Sequence, residues 1–133
     1  MSKIVLDASA VLAMIFREPG GDRVETALDA TSQGTDTEIA ISSVNWCEVL
    51  TKLQRSPAAL TPQELAGILS GVEVVPFERS GAELAAQINL LAPFISLGDR
   101  ACLALASARK AAAWTTDKTW NRVKASVAIE FLR

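Results

Sequence analysis

A chain of 133 residues, half of them apolar and 21% charged, is long enough to bury a core without staples and too apolar to be intrinsically disordered. Its 13 Lys and Arg against 15 Asp and Glu leave a net charge of −2, which excludes the strongly basic balance of a protein that holds nucleic acid by charge alone. The absence of histidine and the wide separation of Cys47 and Cys102 exclude a Ser-His-Asp triad, a Cys-His pair and the common zinc sites.

The elements follow in chain order. Ile4-Val5-Leu6 reads as a buried strand ending at Asp7. Ala8 to Arg17 is an apolar helix, stopped by Glu18-Pro19-Gly20-Gly21. Asp22 is expected to cap the next helix, Arg23 to about Ala30, before a polar loop over 31–38. Ile39-Ala40-Ile41 is a second strand, and Ser42-Ser43 caps a helix from Val44 to about Arg55. Thr61-Pro62-Gln63-Glu64 starts a helix with a capping box, ended near Ser70 by Gly71. Val72 to Val75 is a third strand, and Ser80 opens a helix to about Leu91. Asp99 to Lys110, nearly all Ala and Leu, is a helix buried on most sides. Ala111 to Thr115 is a fourth strand, Asp117 begins a short helix, and Val127-Ala128-Ile129 is a last strand. Short apolar strands alternating with helices predict an α/β fold, one domain over 1–133, with a mostly parallel sheet and helices on both faces. Neither a signal peptide nor a run of roughly 20 apolar residues is expected, which points to a cytoplasmic protein with reduced thiols.

Four acids fall where such a sheet builds its sites, outside the carboxyl ends of the strands. Asp7 follows the first strand and Asp117 the fourth; Glu48 lies in the helix after the second strand, and Asp99 heads the Ala/Leu helix. Each also has a plainer explanation. Asp7, Asp99 and Asp117 stand where aspartate caps helices. On a helical wheel Trp46, Val49, Leu50 and Leu53 share one face, while Glu48 falls opposite with Asn45 and Lys52, free to pair with Lys52. The three tryptophans, Trp46, Trp114 and Trp120, read as core or interface residues rather than base-stacking platforms. With no histidine, a metal at the acids would be held by oxygen, which points to Mg²⁺ or Mn²⁺. Such a cation would also reverse the local negative field.

Taken together, VLDASA (5–10), SSVNWCEVLTKL (42–53), SLGDRACLALA (96–106) and TTDKTW (115–120) resemble the PIN domain, and most closely the VapC toxins of toxin–antitoxin pairs. The resemblance spans nearly the whole chain, in order and spacing. It implies a three-layer α/β/α fold and a divalent-metal-dependent endoribonuclease with Asp7, Glu48, Asp99 and Asp117 as the acidic site. Asp7, Asp99 and Asp117 are the expected metal residues. Ser9, Asn45 and Thr116 match polar positions that support them. The resemblance also implies a VapB-type antitoxin as partner, and a homodimer. Arg100 is either a phosphate contact or a surface charge.

Two catalytic alternatives fail on the residues. A receiver-type signalling domain needs adjacent acids after the first strand, where this chain has Leu6-Asp7. A haloacid-dehalogenase-type phosphatase needs a second aspartate two positions after the first, where Ser9 stands. The alternative from another class is a non-catalytic module that binds RNA or a partner protein, for which the chain lacks interleaved basic and aromatic residues.

Overall fold

The computed structural model describes residues 2–56, 60–124 and 126–133. Five strands, β1 (Ser2–Leu6), β2 (Thr37–Ser42), β3 (Val72–Val75), β4 (Ala112–Thr115) and β5 (Ile129–Phe131), form one sheet in the order β3-β2-β1-β4-β5. Every pairing is parallel. Six α-helices connect them: α1 (Ala8–Ile15), α2 (Gly21–Ser32), α3 (Ser43–Gln54), α4 (Pro62–Ile68), α5 (Arg79–Leu91) and α6 (Leu97–Arg109). A short 3₁₀ helix covers Lys118–Arg122.

The central strand explains the layering. Successive side chains of a strand point to opposite faces. Ile4 and Leu6 therefore join one core with Val11, Val24, Ile39, Ile41, Val49 and Leu53. Val5 joins a second core with Ala40, Ile88, Leu103, Ala113 and Trp120. The first core lies under α1 to α4 and the second under α5 and α6. The expected three-layer α/β/α arrangement is thus the observed one. Among the described residues no helix is long and apolar enough to cross a membrane.

Two local expectations are corrected. Asp22 does not cap α2: the cap is Gly20, whose φ of 93° is left-handed, and Asp22 lies inside the first turn. The helix starts early because Gly21 lets its backbone press against α1, where a Cβ would run into the Ala13 carbonyl and Met14 Cα. Backbone has no room to yield, so Gly21→Ala is expected to destabilise the fold by about 1–3 kcal/mol in a urea melt. An unchanged melt would remove this contact as a determinant of the α1–α2 packing. The last strand is also displaced, to Ile129–Phe131. Glu130 interrupts the apolar run, but it lies in an edge strand and pairs with Arg23 at 2.6 Å. Arg23 also donates to the Phe131 carbonyl at 3.2 Å.

The topology positions the site. Chain connections leave β1 for β2 on one side and reach β4 on the other, so the sheet order reverses at β1. A crevice at that reversal, outside the carboxyl ends of the strands, is where open parallel sheets bind ligands. Asp7 and Thr116 are the first residues beyond β1 and β4.

Candidate active site

Asp7 is 4% exposed. Its N–H donates to the Trp114 carbonyl at 2.9 Å, which extends the β1–β4 ladder by one step. It occupies the N-cap of α1, yet its side chain makes no cap hydrogen bond. The carboxylate instead turns to its neighbours. Oδ2 accepts from Ser9 Oγ at 2.7 Å and from Thr115 Oγ1 at 3.1 Å, and Oδ1 accepts a long bond from Asn45 Nδ2 at 3.5 Å. Capping therefore does not explain an aspartate here.

Asn45 ties the site together. It is fully buried, and its Nδ2 also donates to Glu48 Oε1 at 2.9 Å and to the Gly98 carbonyl at 2.9 Å. Three acceptors facing one NH₂ define the orientation of the amide. The Asn45 Oδ1 is buried without a partner among the described residues. A helical wheel puts Asn45 on an outward face beside Glu48. The structure buries it because α3 packs against α1 on one flank and α6 on the other. Glu48 is exposed, and among the described residues it forms no ion pair with Lys52.

Asp99 is the third residue of α6 and completes a capping box with Ser96. The Ser96 N–H donates to Asp99 Oδ2 at 3.2 Å, and the Asp99 N–H donates to Ser96 Oγ at 3.1 Å. Asp117 caps the 3₁₀ helix, its Oδ1 accepting from the Thr119 N–H at 2.9 Å and Thr119 Oγ1 at 2.7 Å. Asp117 is thus a cap and Asp99 the third-position partner of one, but the charge of Asp117 is also felt by Asp99, and that of Asp99 by Asp7 and Glu48.

That mutual influence shows in the acidities. Burial, the largest cause, pushes Asp7 up to about 7; the Ser9 hydrogen bond opposes it, the Asp99 charge adds to it, Thr115 opposes it and Glu48 adds to it. Glu48, an exposed residue whose carboxyl rests against Gly98, is raised by partial desolvation and by Asp99, against the hydrogen bond from Asn45. Asp99 is raised by burial and by Asp117, against the two bonds to Ser96 and the nearby Trp120 indole. The Trp120 N–H is buried near Asp99 but closes no hydrogen bond of good geometry. The Cys102 thiol, pushed up by burial, also feels Asp7, Asp99 and Glu48. The charges of three carboxylates are thus felt at one buried thiol, and Asp117 acts on the group through Asp99.

The two cysteines part company: Cys102 is buried as expected, whereas Cys47 is exposed. Arg100 forms no ion pair among the described residues, and its Nε is buried without a partner. The hydroxyl that reaches Asp7 from β4 belongs to Thr115 and not to the expected Thr116. Thr116 joins the network through its backbone N–H, which donates to Ser9 Oγ at 3.1 Å. Neighbouring strand residues face opposite ways, and only the pairing of Leu6 with Trp114 sets Thr115 beside Asp7. Gly98, Cys102 and Trp120 were likewise missed, since none carries a signal before the helices are packed.

A divalent ion suits these residues in a particular way. The charged donors are all carboxylate oxygens, and the acids repel one another in a partly desolvated place, a conflict that a cation relieves. Among the described residues, no three acids or thiols are drawn in closely enough to enclose an ion by themselves. Mg²⁺ needs no such cage, because it keeps several waters and takes one or two carboxylates. The donor set therefore fits a partly hydrated ion. A cavity of about 370 Å³ lies away from this site, at the amino ends of the strands, lined by Lys3, Thr37, Glu38, Glu73 and Arg109.

The sequence model of the PIN domain family matches residues 4–126. The chain belongs to the PIN domain family. No curated protein matches it. Solved structures reproduce this PIN fold along its whole length. A chain of VapBC2 from Rickettsia felis, bound to a DNA fragment from its promoter, is 18% identical, with 97% of this chain and 98% of that one covered at a TM-score of 0.73. A chain of DNA-bound VapBC from Salmonella typhimurium is 21% identical, with 100% of both chains covered and a TM-score of 0.72. A chain of FitAcB from Neisseria gonorrhoeae is 20% identical, with 97% of both chains covered and a TM-score of 0.67. At these identities the likeness establishes the fold. The chemistry has to be argued from the residues of this PIN domain itself.

Proposed function

We propose that the chain, as one PIN domain over 1–133, is a VapC-type toxin: a Mg²⁺- or Mn²⁺-dependent endoribonuclease that hydrolyses RNA phosphodiester bonds. The observation that carries this reading is the buried, hydrogen-bonded Asp7 gathered with Glu48 and Asp99 at the reversal of the sheet, where capping does not account for it. Membership of the PIN family and the likeness to chains from VapBC assemblies support it.

Asp7, Asp99 and Asp117 would hold the ion. Once bound, it would polarise the scissile phosphate and make a water a better nucleophile. Ser9 and Thr115 fix the Asp7 rotamer, and Asn45 holds both Asp7 and Glu48. Thr116 steadies Ser9 from behind. Exposed and raised in pKa, Glu48 is suited to orient the attacking water and take its proton. The water oxygen bonds to phosphorus, the P–O bond to the departing nucleotide breaks, and a proton passes to the leaving oxygen.

The same reading implies a VapB-type antitoxin, a second copy of the chain as dimer partner, and a cytoplasmic setting. Leu90, Leu91, Phe94 and Leu97, all exposed around the α5–α6 connection, supply an apolar surface of the sort that protein partners cover.

The test is direct. Purified protein free of antitoxin is incubated with total cellular RNA and Mg²⁺ or Mn²⁺, in parallel with EDTA and with folded Asp7→Asn and Asp99→Asn variants. Discrete fragments that vanish with EDTA and in both variants are expected. Tight RNA or partner binding with no cleavage under either metal would replace the nuclease with a non-catalytic binding module.

A further inference from the structure

Gly98 lies inside α6, not in a turn before it, and has no left-handed φ to justify a glycine. At the second position of a helix an alanine would be favoured on propensity alone. What the residue lacks is a side chain, and the space that a side chain would fill is taken. A Cβ built on Gly98 would stand 2.5 Å from both Glu48 Oε1 and Oε2 and 2.7 Å from Glu48 Cδ. Separation of 2.5 Å is far inside van der Waals contact. The Gly98 carbonyl, meanwhile, accepts from the Asn45 amide that also binds Glu48 Oε1.

We propose that Gly98 is a positioning residue for Glu48. Its bare Cα forms a notch on α6 that receives the Glu48 carboxylate from α3, and Asn45 latches the carboxylate there. Glu48 is otherwise an exposed side chain on a flexible stem, free to sweep through solvent. Docked in the notch, it adds its negative charge to those of Asp7 and Asp99 before any cation arrives, and so strengthens the hold of the three aspartates on an ion without itself being a ligand. This inference rests on the metal-dependent reading above and adds to it a residue that contributes only by leaving room.

The energetics separate positioning from structure. The atoms that a Gly98→Ala methyl would strike are the far end of a flexible, solvent-reaching side chain, so Glu48 can swing out at little cost to the fold. The variant should therefore melt no lower than wild type while losing cation affinity. Gly67, a helical glycine of α4 with nothing within 4 Å of its missing Cβ, provides the matched control.

The experiment measures Mn²⁺ binding by calorimetry and thermal stability for wild type, Gly98→Ala, Gly67→Ala, Glu48→Ala, and the Gly98→Ala/Glu48→Ala double variant. Gly98→Ala is expected to weaken Mn²⁺ binding by about 10–100-fold, the usual effect of losing a group that orients a metal site. Gly67→Ala is expected to bind as wild type. Because Gly98 acts through Glu48, the double variant should bind no worse than Glu48→Ala alone. The proposal is overturned if Gly98→Ala binds Mn²⁺ as well as wild type, if its loss multiplies with that of Glu48→Ala, or if its loss tracks a lowered melting temperature. Failure of wild type itself to bind Mn²⁺ would instead overturn the metal-dependent reading, and this inference with it.

Discussion

Asp7→Asn is expected to abolish RNA cleavage and, in the same protein, to stabilise the metal-free fold at pH 8. The two effects have one cause. The carboxyl titrates near 3.8 when unperturbed, and burial raises it to about 7 in the fold. Well below pH 4 Asp7 is protonated whether the chain is folded or not, and it imposes no penalty on the fold. Between about 4 and 7 the unfolded chain releases the proton and the fold retains it, so stability falls as pH rises. Above 7 the carboxylate is charged in both states, and the fold bears a penalty of roughly 4 kcal/mol, the energy equivalent of the gap between the two values. Asparagine keeps the shape and removes the charge. In EDTA, wild type should therefore melt progressively lower from pH 4 to 8, and Asp7→Asn should show a much flatter profile with a higher melting temperature at pH 8. Mn²⁺ should restore the wild type and leave the variant unmoved, because only a ligand that binds the folded state stabilises it. A flat wild-type profile in EDTA would contradict the burial argument. Undiminished cleavage by the variant would remove Asp7 from the reaction.

The second large effect is expected at Asn45. Its Nδ2 faces three acceptors, Glu48 Oε1, the Gly98 carbonyl and Asp7 Oδ1. Asn45→Asp is nearly isosteric, yet it replaces the donor with an acceptor and adds a carboxylate to a cluster that already repels itself. A buried charge without compensation costs about 3–5 kcal/mol. Asn45→Ala leaves a small void and unmade hydrogen bonds, about 1–3 kcal/mol. The near-isosteric variant should thus be the more damaging of the two at pH 8, in urea melts and in RNA cleavage, and the gap between them should narrow at pH 4 as carboxyls take up protons. If Asn45→Asp proved as stable and as active as Asn45→Ala at pH 8, or more so, Asn45 would be a space-filling residue and not a donor.

The asymmetry between these residues shows what could be read before the chain was folded. Asp7 was legible because an acid directly after a buried apolar strand has no role in a core. The capping box of Thr61 and Glu64 was legible because its geometry is closed within a single turn, and it forms as expected. The α/β architecture followed from apolar runs separated by helical periodicity, and the sheet is parallel throughout. Thr115 was not legible. It and Thr116 are adjacent and chemically alike, but Thr115 ends β4 and sends its hydroxyl to Asp7, whereas Thr116 lies beyond the strand and meets Ser9 through its backbone N–H. The choice between them is made by the register of β1 on β4, a contact between residues more than a hundred positions apart.

Asn45 and Gly98 escaped for a related reason. A helical wheel assumes one apolar partner and one wet face, but α3 is flanked by both α1 and α6. The second partner turns a polar face into an interior one and makes an amide its central donor. A glycine before an acid looks like a turn when only the local chain is considered, and becomes a notch once α3 lies against α6.

The chain sequence was enough for the strand and helix alphabet, for excluding histidine as a ligand, and for singling out four acids as candidates, two of them directly beyond or just after strands and two in the helices beside them. These depend on composition and short-range periodicity, which act along the chain. Tertiary structure alone decided which hydroxyl meets Asp7, which amide gathers the carboxylates, and which missing side chain makes room for Glu48. Those depend on register and on packing between distant elements, where a shift of one residue reverses a strand face and one methyl group fills the space an acid needs.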